Sequence, residues 1–186
     1  MKEIPNIAIY LDMDGVLTDF DKRAEEIYPP FVKMAEWFHY GRGSKAEYTK
    51  LYTNLLFKIL RTPNFWVSLP WTTDGKKLFK YVESHFHKDQ IGVLTAPMNQ
   101  DERCAPEKWE WIERNLKEIS HSHFFCHLDK EKFVGKIPGK YQILIDDRKK
   151  NIDAWIAAGG IGIHHTSAND TIRHLESIIS EIKEKS

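Results

Sequence analysis

Apolar and polar positions along this chain fall into blocks of two kinds. Ile7-Ala8-Ile9-Tyr10-Leu11 is a short continuous apolar run rich in branched and aromatic side chains. It is too short for a helix and suits a strand buried on both faces. Ile91-Gly92-Val93-Leu94, Phe124-Phe125-Cys126, Gln142-Ile143-Leu144-Ile145 and Ile161-Gly162-Ile163 repeat the signature. Between these runs the apolar positions take helical spacing. Thr72-Thr73-Asp74-Gly75 reads as the capped start of a helix reaching about His87, with Leu78, Phe79 and Val82 inward. Ala105 to Ile119, opened by Pro106, carries Trp109, Ile112 and Leu116 on one stripe. Lys132-Phe133-Val134 suits a single turn, Ile152 to Ala158 a helix stopped by Gly159-Gly160, and Asn169 to about Lys183 a terminal amphipathic helix.

The stretch after the first strand breaks this rhythm. Phe20 to Ile27 is a charged amphipathic opening, and Pro29-Pro30 interrupts it. Phe31 to His39 resumes helical spacing, and Gly41-Arg42-Gly43-Ser44 is a break. Lys45 to Leu60 then puts Tyr48, Leu51, Tyr52, Leu55, Leu56 and Ile59 on one face, before the aromatic, proline-marked run Phe65 to Trp71. With no strand alternation, residues 18–71 read as a small helical cap inserted after strand 1, and residues 1–17 and 72–186 as the core. The expected fold class is α/β, a parallel sheet flanked on both faces by helices. Phe65, Trp66 and Trp71 suit packing of the insertion or a binding wall equally.

Composition narrows the partners. The 186 residues suit one domain, and a hydrophobic fraction of 41% with 12% aromatics can fill its core. Twenty-seven basic and 27 acidic side chains cancel, which leaves no general basic surface for a polynucleotide. Cys104 and Cys126 lack metal-ligand spacing and read as core thiols of a reducing compartment. The amino terminus runs straight into the first strand, and no apolar run approaches membrane-spanning length, so a soluble cytoplasmic protein is expected. The histidine pairs at 85/87, 121/123 and 164/165 read as surface or loop residues, and Lys149-Lys150 as a solvated helix start.

Three strands stop at a polar signature: Asp12-x-Asp14, Thr95 and Asp146-Asp147. In a parallel sheet these carboxyl ends share one edge, where open α/β sheets bind ligands. Four carboxylates there repel unless a cation sits among them, and hard oxygen donors select Mg²⁺. Such a site invites phosphoryl chemistry. Asp12 can attack phosphorus as nucleophile, and Asp14 can protonate the leaving oxygen and later deprotonate water. Thr95, with backbone amides near Ala96, would bind phosphate oxygens, and a lysine from between Cys126 and Tyr141 should supply fixed positive charge.

Asp12-Met13-Asp14-Gly15-Val16-Leu17, Thr95-Ala96-Pro97 and Ile145-Asp146-Asp147-Arg148 resemble the motifs of the haloacid-dehalogenase-like (HAD) hydrolases. Asp12 to Phe20, Asn64-Phe65-Trp66 and Leu144 to Arg148 are similar, more closely, to the 5′(3′)-deoxyribonucleotidases of the type C 5′-nucleotidase family. The resemblance runs from residue 7 to about 165 and implies a Rossmann-like core. It implies Asp12 as the phosphorylated nucleophile and Asp14 as the acid/base whose backbone carbonyl also binds Mg²⁺. It further implies Thr95 as phosphate ligand, Asp146 as metal ligand and Asp147 in support. Lys130 best fits the family's lysine, with Lys132 and Lys136 as alternatives, and Phe20, Phe65, Trp66 and Val67 fall where the base pocket forms. Where related nucleotidases carry a second lysine soon after the Thr95 position, this chain reads Met98-Asn99-Gln100, so phosphate or sugar binding is expected to differ.

The function expected is Mg²⁺-dependent hydrolysis of (deoxy)nucleoside monophosphates through an aspartyl-phosphate. Asp14 argues for a phosphatase over a dehalogenase, which has no alkoxide to protonate. The competing readings are a polynucleotide 3′-phosphatase, another small-molecule phosphatase of the superfamily, and a non-catalytic binding protein on the same fold. The expected partner is a small phosphomonoester and not a membrane, and assembly as a homodimer is left open.

Overall fold

The structure is a computed structural model that describes residues 6–29 and 45–184, residues 45–49 by backbone alone. The five apolar runs form one sheet: β1 (Ile7–Leu11), β2 (Ile91–Thr95), β3 (Phe124–Cys126), β4 (Tyr141–Asp146) and β5 (Ile161–His164). Their order is β3-β2-β1-β4-β5 and every neighbouring pair is parallel. The helices among the described residues are α1 (Phe20–Ile27), α2 (Lys45–Leu60), α3 (Gly75–His85), α4 (Cys104–Asn115), α5 (Lys149–Ala157) and α6 (Ala168–Glu184). This is the α/β architecture read from the sequence. The helix expected over 31–39 lies outside the described residues.

The central strand explains its own composition. All five residues of β1 are buried, so alternation of polar and apolar positions would serve nothing. Ile7, Ile9 and Leu11 face one core with α3, α4 and α6, while Ala8 and Tyr10 face a second with Leu144, Ile152 and Trp155. The Tyr10 hydroxyl accepts from Ile137 N at 2.8 Å and lies 3.0 Å from Gln142 Oε1. Gln142 Nε2 in turn donates to Ile137 O at 3.1 Å. That buried brace holds the long connection into β4. Leu11 pairs with Val93 and with Ile145, and Asp12 N donates to Ile145 O at 2.9 Å. The register therefore sets Asp12, Thr95 and Asp146 along one edge.

The ends of the segment 18–71 meet. Asp19 N donates to Pro70 O and Thr72 N to Leu17 O, each at 2.9 Å, and Thr18 pairs antiparallel with Trp71. Ile59, Leu60, Phe65, Trp66 and Leu69 share the core that covers β1.

Three local expectations are corrected. Asp74 stands at the N-cap of α3, but its carboxylate accepts from Ala168 N at 2.5 Å and so caps α6 alongside. The buried stripe of α4 is Cys104, Lys108, Trp111 and Ile112, while Trp109 is only partly buried and rests against Phe124 and His121. His165 is buried, its Nδ1 2.8 Å from Thr171 Oγ1, and burial holds its pKa below the ordinary value.

Candidate active site

Asp12 emerges from β1 almost fully buried. Its Oδ1 accepts from Met13 N at 2.7 Å and lies 2.7 Å from Lys130 Nζ, which fixes the carboxylate and leaves Oδ2 for chemistry. Burial pushes the Asp12 carboxyl up from 3.8 to about 7, with Lys130 opposing that rise. Beyond it the chain turns sharply, with Leu17 N and Thr18 N both donating to Met13 O at 2.8 Å. Gly15 has a φ of 84°, and a Cβ there would stand 2.5 Å from Asp147 Oδ2. No side chain fits between the turn and that acid.

Lys130 opens a 3₁₀ turn after β3 and is buried. Its ammonium bridges Asp12 to Asp146, lying 2.6 Å from Asp146 Oδ2. Arg148 N donates to Asp146 Oδ1 at 2.8 Å, and Asn151 Nδ2 donates to Oδ2 at 2.9 Å. Of the three candidate lysines, Lys130 is the one the structure sets at Asp12 and Asp146. Lys132 is exposed and paired with Asp129 at 2.7 Å, and Lys136 is exposed.

Oxygens of Asp12, Asp146 and Asp147 lie within 4.8 Å of one another. Asp147 Oδ1 is buried there without a hydrogen-bond partner. Burial, with Asp146 next to it, raises the Asp147 carboxyl above its ordinary value. With all three ionised, three carboxylates against one ammonium would leave an excess of two negative charges at the cavity's polar end. An orphaned carboxylate oxygen in an all-oxygen donor set fits a hard divalent cation. The Asp14 side chain is not in this group, so a metal role for Asp14 rests on its backbone carbonyl.

Across the cleft, Asp14 Oδ2 lies 2.6 Å from the ammonium of Lys108, and Thr18 Oγ1 donates to Asp14 Oδ1 at 3.0 Å. Lys108 Nζ also donates to Thr95 Oγ1 at 2.8 Å and to Ala96 O at 2.9 Å. Burial works against this ammonium, but Asp14, Cys104 and Asp12 together offset it and hold the Lys108 pKa above its ordinary value. The sequence reading missed Lys108. Its signal is a lysine four residues after Cys104 and four before Ile112 on the inward face of α4, which a stripe started at Trp109 passes over. Asn151 was missed too, and nothing in the local pattern marks it.

The two halves share a cavity of about 550 Å³. Asp12, Asp14, Lys108, Lys130 and Asp147 line its polar end, and Phe20, Tyr52, Leu56, Trp66, Met98 and Leu128 its apolar walls. Ala96 lines it as well, whereas Thr95 lies beneath and touches it through Lys108. Phe65 and Val67, expected in the base pocket, are buried outside the lining. Phe65 instead backs the wall, edge-on to Phe20 and Trp66 at 5.3 and 5.0 Å between ring centroids.

The model of the family described as "5' nucleotidase, deoxy (Pyrimidine), cytosolic type C protein" matches residues 6–180. The chain belongs to this family. It is a phosphoric monoester hydrolase. A Bordetella bronchiseptica protein named provisionally as a 5′(3′)-deoxyribonucleotidase is 29% identical over 148 residues, 75% of this chain and 73% of that one. A mimivirus protein with the same provisional name is 27% identical over 150 residues, covering 76% and 63% of the two chains. Among solved structures, a haloacid dehalogenase-like hydrolase from Streptococcus pneumoniae aligns with a TM-score of 0.55 at 10% identity, over 86% of this chain and 83% of its own. The Bacillus subtilis HAD-hydrolase YfnB, solved bound to magnesium, aligns at 0.50 and 10% identity, over 85% and 86%. At such identities the likeness is one of fold.

Proposed function

We propose that the chain is a Mg²⁺-dependent phosphatase that hydrolyses (deoxy)nucleoside monophosphates to nucleoside and phosphate through an aspartyl-phosphate. The observation that carries this reading is the division of one cavity into a doubly negative nucleophile side, a charge-balanced acid side and an aromatic wall. Asp12, Asp146 and the Asp14 backbone carbonyl would hold Mg²⁺, with Asp147 in support. When bound, the ion supplies positive charge that neutralises phosphate oxygens and keeps the buried acids ionised.

Asp12 Oδ2 forms the new bond to phosphorus as the ester P–O bond breaks, and Asp14 delivers its proton to the departing ribose oxygen. In the second half Asp14 takes a proton from water, whose oxygen attacks phosphorus and frees Asp12. Lys130 and Lys108 stabilise charge on the transferring group from opposite sides, with Ala96 at its phosphate oxygens and Thr95 behind, holding Lys108. Phe20 and Trp66 would meet the base, with Phe65 and Val67 behind them. Residues 18–71, joined at 17–19 and 70–72, act as the cap that excludes water. No helix among the described residues is long and apolar enough to cross a membrane. The two free thiols and the family's description support placing the activity in the cytoplasm.

The test is phosphate release with Mg²⁺ across nucleoside monophosphates, sugar phosphates and a 3′-phosphorylated oligonucleotide. The nucleotides should be turned over best, EDTA should stop release reversibly, and Asp12→Asn should show no turnover above background. Preference for the oligonucleotide, or full activity in D12N, overturns the reading.

A further inference from the structure

Trp66 has two N–H donors, and both are taken by acids that approach from the core. Its backbone N–H donates to Glu107 Oε2 and its indole Nε1–H to Asp101 Oδ2, each at 3.0 Å. Asp101 stands just before α4 and Glu107 within its first turn. Arg103 fixes Asp101 from two sides, with Nε donating to Oδ1 and Nη2 to Oδ2, both at 2.9 Å. The same guanidinium reaches Leu60 O and, at 3.5 Å, Thr62 O, the carbonyls where α2 ends. Lys108, next in sequence to Glu107, sets its Nζ 5.0 Å from the centre of the Trp66 ring. A single strip of core, residues 101–108, thus touches the end of the cap helix, both donors of the aromatic wall and the acid Asp14.

We infer that Asp101 and Glu107 are positioning residues that set the plane of Trp66 against the substrate's base, with Arg103 fixing Asp101 and tying it to the end of α2. Packing buries the Trp66 ring, and the two charge-assisted hydrogen bonds fix its orientation within that packing. With both donors engaged, Trp66 meets the base through its ring face, and its contribution to recognition is stacking. This inference rests on the nucleotide reading, since only a substrate with a base can feel the plane of the ring.

The experiment compares kcat/KM for deoxyuridine 5′-monophosphate with that for 2-deoxyribose 5-phosphate, which has the same phosphoester and no base. Asp101→Ala should lower the preference for the nucleotide by about tenfold, the size of one stacking contact, mainly through KM. Its kinetics on the baseless ester should hold within about twofold. Asp101→Asn, whose amide oxygen still accepts from the indole, should recover most of the preference. In a Trp66→Phe background, which has no indole donor, D101A should change the preference no further. Should D101A not accumulate as folded protein, Glu107→Ala runs the same comparison through the backbone donor. Equal losses on both substrates, or an unchanged preference in D101A, overturns the inference alone. A wild-type chain that turns over both esters equally overturns the nucleotide reading and the inference with it.

Discussion

Two buried lysines flank the end of β1, and their surroundings differ in charge. Lys130 lies between Asp12 and Asp146, with Asp147 close by, so its side of the cleft sets three acids against one ammonium. Lys108 meets one carboxylate, one hydroxyl and one carbonyl, so its side is balanced. The first arrangement needs a further cation to be comfortable, and the second does not. Equal burial of two ammonium groups therefore reflects two tasks. In the proposed reaction Lys130 would hold the acids together around a divalent ion, whereas Lys108 would orient Asp14 as the acid beside the phosphate and the aromatic wall.

Lys130→Met should break the first side hardest. It leaves Asp12 and the fully buried Asp146 facing each other unpaired, and such a loss costs about 3–5 kcal/mol. In metal-free protein the Tm should fall by about 10 °C, and turnover assayed with Mg²⁺ should be down at least about a thousandfold. Added Mg²⁺ should return part of the lost Tm, because it supplies the missing positive charge. A fall of less than about 2 °C in the metal-free protein would show that the two sides are alike.

Lys108→Met should act on rate more than on stability. Asp14 keeps 29% side-chain exposure, so water can solvate it once the ammonium is gone. The expected loss is about 10²–10³ in kcat on a nucleotide with little change in Tm. On p-nitrophenyl phosphate, whose leaving group needs little protonation, the loss should be clearly smaller. Equal loss on the two substrates would separate Lys108 from the acid's work.

How much of this was legible depended on whether the signal was local. β1, β2 and β4 announce themselves as apolar runs because both their faces are buried, β3 and β5 at the sheet's edges are only partly buried, and the polar stops at the ends of β1, β2 and β4 share one edge. Lys130 is singled out by its resemblance to the family's lysine, ahead of the last acidic pair at the start of an apolar turn, and the structure sets it between Asp12 and Asp146. Lys108 arrives thirteen residues after Thr95 on a helix whose phase was misjudged, although its inward position on α4 carried the clue. The Trp66 clamp was hidden for another reason. It joins an acid before one helix to an indole about 35 residues earlier in the chain, and only the packing of the segment on the core brings them together. Asp74 shows the same limit on a smaller scale, since a local N-cap pattern was spent on the neighbouring helix.

The smallest expected effect is a pH dependence confined to the Lys130 side. Burial raises the Asp12 carboxyl from 3.8 to about 7 in the metal-free chain. Between those values the folded chain keeps a proton that the unfolded chain has already released, so folding binds protons and stability must fall as pH rises. The contribution is fullest below the unfolded value and is lost as pH climbs through about 7. In EDTA, Tm measured by calorimetry should therefore decline by a few degrees, about 3–6 °C, from weakly acid to neutral pH. Asp12→Asn, which cannot titrate, should remove that slope, and saturating Mg²⁺ should flatten it by stabilising the ionised carboxylate. Lys108→Met should leave the slope in place, because its partners lie on the balanced side of the cleft. A slope that survives in D12N would move the titration to Asp147 and make the orphaned carboxylate, rather than the nucleophile, the seat of the excess charge.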